Sequence, residues 1–125
     1  MSDSPYGYEL IIDLGGCDAT RFSRGSIDGY FEALCRRIAM AKCERFWWDD
    51  VGVPESERQT SPHTQGTSAV QFILTSSIVI HTLDQLDQAF VNVFSCKAFD
   101  HAAALELTVD WFLAASETHH SIERG

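Results

Sequence analysis

The sequence predicts a two-layer α+β domain: an antiparallel sheet with two helices on one of its faces. Three observations lead there. Short runs rich in Val, Ile, Phe and Thr recur along the chain. Two longer stretches carry apolar residues at helical spacing. The connections between the later strand candidates are too short for parallel crossovers. With 125 residues, 45% of them hydrophobic and 11% aromatic, one domain over residues 1–125 with a real core is expected.

Tyr8 to Leu14 (YELIIDL) reads as the first strand, punctuated by Gly15-Gly16. Ser26 can cap a following helix through its hydroxyl. Ile27, Phe31, Leu34, Ile38 and Ala41 then recur at steps of four and three, one face of that helix. Arg36, Arg37 and Lys42 fall near its end, where cations suit the dipole. Glu44 to Trp48 reads as extended. From Asp49 to Gly66 the composition turns to Pro, Ser, Thr, Gln, Gly and charge, a long loop within one domain. Three strands follow: Ser68 to Leu74, Ser77 to Thr82 and Ala89 to Ser95. Asp100 can cap a second helix over 101–115, with Ala102, Leu105, Val109 and Phe112 on one face. The tail from Glu117 to Gly125 either adds a short strand or stays loose. Apolar residues occupy both parities of Ser68 to Leu74, as in a strand buried on both faces, so a homodimer covering the second sheet face is expected.

Charge narrows the function classes. Nine Lys and Arg against 18 Asp and Glu leave a net charge of −9. That balance disfavours binding to nucleic-acid phosphates and to anionic membranes. The polar start Met1-Ser2-Asp3-Ser4-Pro5 lacks a signal-peptide pattern, and no apolar run is long enough to span a bilayer. Cys17, Cys35, Cys43 and Cys96 form no C-x-x-C pair and no zinc spacing. A cytoplasmic protein with reduced thiols and no metal is the expectation. His119-His120 with Glu117 makes a poor chelate on a loose tail. Asp49-Asp50 and Glu55-Glu57 read as a solvated acidic loop.

The stretch from Gly66 to Cys96 is the most informative. It holds G-T-S-A-V, then T-S-S-I-V-I-H-T, then V-N-V-F-S-C. Taken singly, Ser68 and Ser76 are ordinary turn residues, His81 a structural histidine and Cys96 a small hydrophobe. As an ordered set, these residues resemble the short prokaryotic S-adenosylmethionine decarboxylase proenzyme family. I-I-D-L-G-G-C-D near the start and the closing I-E-R-G are similar to that family as well, so the likeness spans the chain outside the 49–66 loop.

The resemblance implies a self-cleaving proenzyme. A serine hydroxyl attacks the preceding carbonyl, and elimination then cuts the chain and leaves a pyruvoyl group on the new N-terminus. That ketone serves as the electron sink when the substrate loses carbon dioxide. Carried over by position, Ser76 is the pyruvoyl precursor, with cleavage after Thr75. His81 takes the Cα proton, Ser68 stabilises the processing intermediate, and Cys96 returns a proton after decarboxylation. Trp47 and Trp48 could offer an aromatic face to adenine or a sulfonium.

The sequence departs from the family at three places. Thr75 replaces a glutamate, Ser77 a histidine, and Gln85 a glutamate expected to hold the substrate ribose. Ser76-Ser77 is itself a pair at which pyruvoyl enzymes can cleave. The resemblance implies S-adenosylmethionine as substrate, on the way to spermidine, and the altered residues leave room for another amino acid such as ornithine or arginine. The alternatives are a homologue that never processes and acts as a regulatory subunit, or a binding domain without chemistry. Geometry adds a condition: Ser76 and His81 have opposite parity, so on one strand they meet only if it bends or bulges between them.

Overall fold

A computed structural model describes residues 4–125; residues 1–3 of the polar start lie outside it. Its elements are β1 (Gly7–Gly15), α1 (Arg24–Arg37), β2 (Lys42–Trp48), β3 (Ser68–Ile73), β4 (Ser76–Leu83), β5 (Gln88–Ser95), α2 (His101–Phe112) and β6 (Ser116–Arg124). Short 3₁₀ turns stand at Ala19–Phe22 and Glu55–Glu57. The six strands form one sheet in the order β2-β3-β4-β5-β1-β6, and every neighbouring pair is antiparallel. The expected α+β architecture is present.

One sheet face carries the core. Leu10, Ile12 and Leu14 of β1, Ile78 and Ile80 of β4, and Val91 and Val93 of β5 are buried there by strand alternation. The helices lie over them with Ile27, Tyr30, Phe31 and Leu34 of α1 and Phe112 of α2, none of them exposed. Each such side chain contributes roughly 1.5–3 kcal/mol on burial. The Tyr30 hydroxyl, buried with its ring, meets Thr108 Oγ1 at 2.7 Å, which joins the two helices.

Local chemistry moved several boundaries. Ser23 caps α1, its Oγ accepting from the Ser26 N–H at 3.2 Å. Ser26 therefore lies inside the helix, and its hydroxyl accepts instead from Trp111 Nε1 at 3.0 Å. The helix ends at Arg37 because Ala39 turns into the left-handed region, with φ 56°. Lys42 opens β2 rather than closing α1. α2 stops at Phe112 for the same reason, with Leu113 at φ 52°. The tail is a full nine-residue edge strand, not a loose end. It pairs with β1 from Gly7↔Arg124 to Gly15↔Ser116.

Candidate active site

The second sheet face has no helix over it. Strand pairing arranges its residues in rows. One row runs Trp48, Ser68, His81, Phe90, Asp13 and Thr118; the next runs Phe46, Val70, Val79, Asn92, Ile11 and His120. Phe46 is 56% exposed, Trp48 62% and Phe72 45%. So much aromatic surface on one face is unusual for a face meant to meet only water.

His81 and Ser68 meet on this open face. They are cross-strand partners, and Ser68 Oγ lies 2.7 Å from His81 Nδ1. Gly66 sets their register: a Cβ there would sit 1.6 Å from the Thr82 carbonyl oxygen, so only glycine lets the strands close. Beside it, Thr82 Oγ1 accepts the Thr67 N–H at 2.9 Å. Shallow clefts flank His81 on both sides. One, of about 250 Å³, is lined by Phe46, Trp48, Val70 and Val79; the other, of about 340 Å³, by Ile11, Asp13, Phe90 and Asn92.

Thr75, Ser76 and Cys96 form a second group. Leu74 and Thr75 make the turn between β3 and β4, closed by the pair Ile73↔Ser76. Thr75 takes φ 52°, a strained conformation for a β-branched residue. Ser76 is buried, and its Oγ accepts the Cys96 N–H at 3.0 Å. Thr75 Oγ1 lies 3.0 Å from Cys96 Sγ and 2.7 Å from the Leu74 carbonyl oxygen. The Thr75 hydroxyl, then that of Ser76, hold the Cys96 thiol below its ordinary value, with Lys97 adding a smaller pull. Cys17 and Cys35 differ: burial pushes both up to about 11. All four cysteines are free.

The two groups stand apart in the single chain. β4 keeps an unbroken register with both neighbours, so no bulge turns Ser76 toward His81. Ser76 points to the helix-covered face and His81 to the open one. His81 lies five residues along the strand from Ser76, roughly 16 Å away.

The remaining predicted residues scatter. Trp48 shares the row of Ser68 and His81. Trp47 points the other way, toward α1, with its ring 6.4 Å from Phe31 and the Arg24 guanidinium 5.5 Å over it. Gln85 serves the long loop: its Nε2 donates to the Thr60 carbonyl at 2.9 Å and to Gln65 Oε1 at 2.5 Å. That loop is pinned to α1 by Arg24, which donates to both Asp49 oxygens at 2.6 and 2.8 Å. His119 and His120 face opposite sides of β6, and no cluster of three metal-ligating side chains occurs among the described residues. Among those residues no helix is long and apolar enough to cross a membrane.

Sequence reading missed Asp13, Phe90 and the group formed by Glu9, Asn92 and Arg124. Glu9 Oε1 accepts from Arg124 Nη1 at 2.6 Å, and Asn92 donates to its other oxygen. The signal was available in strand parity: Glu9, Ile11 and Asp13 alternate with the buried Leu10, Ile12 and Leu14.

The S-adenosylmethionine decarboxylase family profile matches residues 8–125. Among curated proteins, none matches the sequence. Among solved structures, the crystal structure of the adenosylmethionine decarboxylase from Aquifex aeolicus VF5 superposes with a TM-score of 0.76 at 20% identity. That likeness covers 98% of this chain and 92% of the other.

Proposed function

Because the chain belongs to the S-adenosylmethionine decarboxylase family, we propose that it is a pyruvoyl-dependent decarboxylase made as a self-cleaving proenzyme. S-adenosylmethionine is the proposed substrate, with decarboxylation feeding spermidine synthesis in the cytoplasm. The observation that carries this reading is the Thr75–Ser76 peptide. It sits at a tight turn, with a strained left-handed residue on its acyl side and a serine whose hydroxyl is held by the Cys96 N–H. Ser77, by contrast, lies within regular ladders opposite Phe72 and Phe94, which favours cleavage before Ser76 over cleavage before Ser77.

These residues fit a serine-derived pyruvoyl group. Ser76 Oγ attacks the Thr75 carbonyl carbon, the ester bond forms, and the C–N bond breaks. A base then removes the Ser76 Cα proton, and the Cβ–Oγ bond breaks with Thr75 leaving as a carboxylate. Water hydrolyses the remaining dehydroalanine, and ammonia departs. A ketone on the new N-terminus would supply the electron sink for loss of carbon dioxide from a substrate amine. In this reading Cys96, beside the turn, supplies the final proton.

The base is expected from a second copy of the chain. Ser68 and His81 cannot reach Ser76 within one chain, but they lie on an open face with exposed Phe46, Trp48 and Phe72. In a homodimer packed through that face, His81 of the partner subunit would approach the Thr75–Ser76 peptide from the exposed Leu74–Thr75 side of the turn, since Ser76 itself points to the other face. Trp48 and Phe90, in the row of His81, would then wall the substrate space. A second reading, a homologue that never processes, draws support from Gln85, whose amide is engaged by the loop.

Intact mass under denaturing conditions separates the two. Pieces of residues 1–75 and 76–125, the latter with a blocked N-terminus, are expected. A whole chain after prolonged incubation would overturn the processing reading.

A further inference from the structure

The Thr75 side chain occupies a position where the family carries glutamate, and the structure gives it a definite contact. Its hydroxyl has one proton and two acceptors within reach, the Leu74 carbonyl oxygen at 2.7 Å and Cys96 Sγ at 3.0 Å. When Cys96 is a thiol, its S–H can point to Thr75 Oγ1 while the hydroxyl donates to Leu74. When Cys96 is a thiolate, the hydroxyl turns and donates to sulfur. A carboxylate in this place could only accept, and it would repel a thiolate.

We infer that Thr75 is a positioning residue for Cys96, its hydroxyl holding the sulfur in place in both protonation states. The inference rests on the decarboxylase reading for its purpose, since a proton donor must give up a proton and regain it at one fixed point. The geometry is specific. The left-handed backbone of Thr75 aims Cβ across the turn at the residue following β5. The other groups facing the sulfur are the Ser76 hydroxyl and the more distant Leu74 carbonyl, at 3.8 Å; Lys97 is the charged neighbour. The reduced basicity of the thiol agrees with a donor placed on sulfur. After a break at Thr75–Ser76, hydroxyl and sulfur belong to different pieces, so the contact also ties those pieces together at the site.

The test is site-resolved alkylation of Cys96 by iodoacetamide against pH, read by peptide mass spectrometry. The exposed Cys43 serves as internal reference. The full chain carries Ser76→Ala, so that every sample stays whole. Adding Thr75→Val preserves shape and β-branching but removes the hydroxyl. Alkylation of Cys96 at pH 8 is expected to slow roughly threefold or more as the thiolate fraction falls. Thr75→Ser should restore it. An unchanged profile in Thr75→Val, or a loss that Thr75→Ser fails to rescue, would overturn the inference. This readout needs no cleavage. A wild-type chain that never processes would therefore overturn the decarboxylase reading, while the alkylation profile still decides the role of Thr75.

Discussion

Ser68 and His81 face each other across the β3–β4 ladder, with Oγ and Nδ1 2.7 Å apart, on the sheet face opposite the one to which Ser76 points. Their pairing gives the imidazole a fixed orientation, as its proposed role as a base requires. Replacing His81 by Gln should slow self-cleavage by roughly 10²- to 10⁴-fold, the usual worth of a positioned base. Ser68→Ala should slow it less. Time courses of intact mass give both numbers, and cleavage at the wild-type rate in His81→Gln would remove the histidine from the mechanism.

With the proposed homodimer, the separation of the two groups predicts complementation between subunits. Ser76→Ala and His81→Gln chains should each stay whole alone. In a mixed dimer, Ser76 of the His81→Gln chain meets His81 of the Ser76→Ala subunit, and that one site is complete. Co-expression should then yield cleavage of the His81→Gln chain only, at up to half of the sites. Phe72→Glu, on the open face, should give monomers by light scattering and abolish the rescue.

Backbone strain at Thr75 is measurable in the uncleaved Ser76→Ala chain. Glycine accepts φ 52° freely, whereas threonine does not. Thr75→Gly should stabilise that chain by about 1 kcal/mol, a rise in Tm of roughly 4 °C. A fall in Tm on calorimetry would show that the turn is held without strain.

The Glu9 carboxyl titrates below its ordinary range, through the Asn92 hydrogen bond first and Arg124 next. A lowered folded value means that its stabilisation is present above the ordinary carboxylate range, near 4.5, and is lost as pH falls through the folded value. Glu9→Gln should cost about 1 kcal/mol at pH 7, and the difference should shrink as the pH falls below the ordinary carboxylate range. Urea titrations of both chains across that range check the sign.

Most of the architecture was legible because each element carries its own signal. The strands at Tyr8, Ser68, Ser77 and Ala89 show β-branched and aromatic runs, and both helices show apolar stripes. The ends were less so. Ser23 and Ser26 are equally good caps by residue type, and only the fold decides which one stands outside the helix. Ala39 and Leu113 turn left-handed without being glycine, so nothing in their identity marks the helix ends. The tail reads as polar because β6 is an edge strand without a core face, and pairing with β1 alone gives it order. At the site, Ser68 and His81 share a row by register, which sequence spacing does not reveal. Trp47 and Trp48 look alike in sequence, and parity sends them to opposite faces.

The strand order has a bearing on what a cut at Thr75 would release. Residues up to 75 contribute β1, β2 and β3; the remainder contribute β4, β5 and β6. In the sheet these alternate: two strands of the first piece, two of the second, one of the first, one of the second. Three ladders, β3–β4, β5–β1 and β1–β6, cross from one piece to the other. The halves are therefore woven like the warp and weft of one cloth. Cutting the thread frees two ends to move within the site, yet neither half can leave unless the whole weave comes undone.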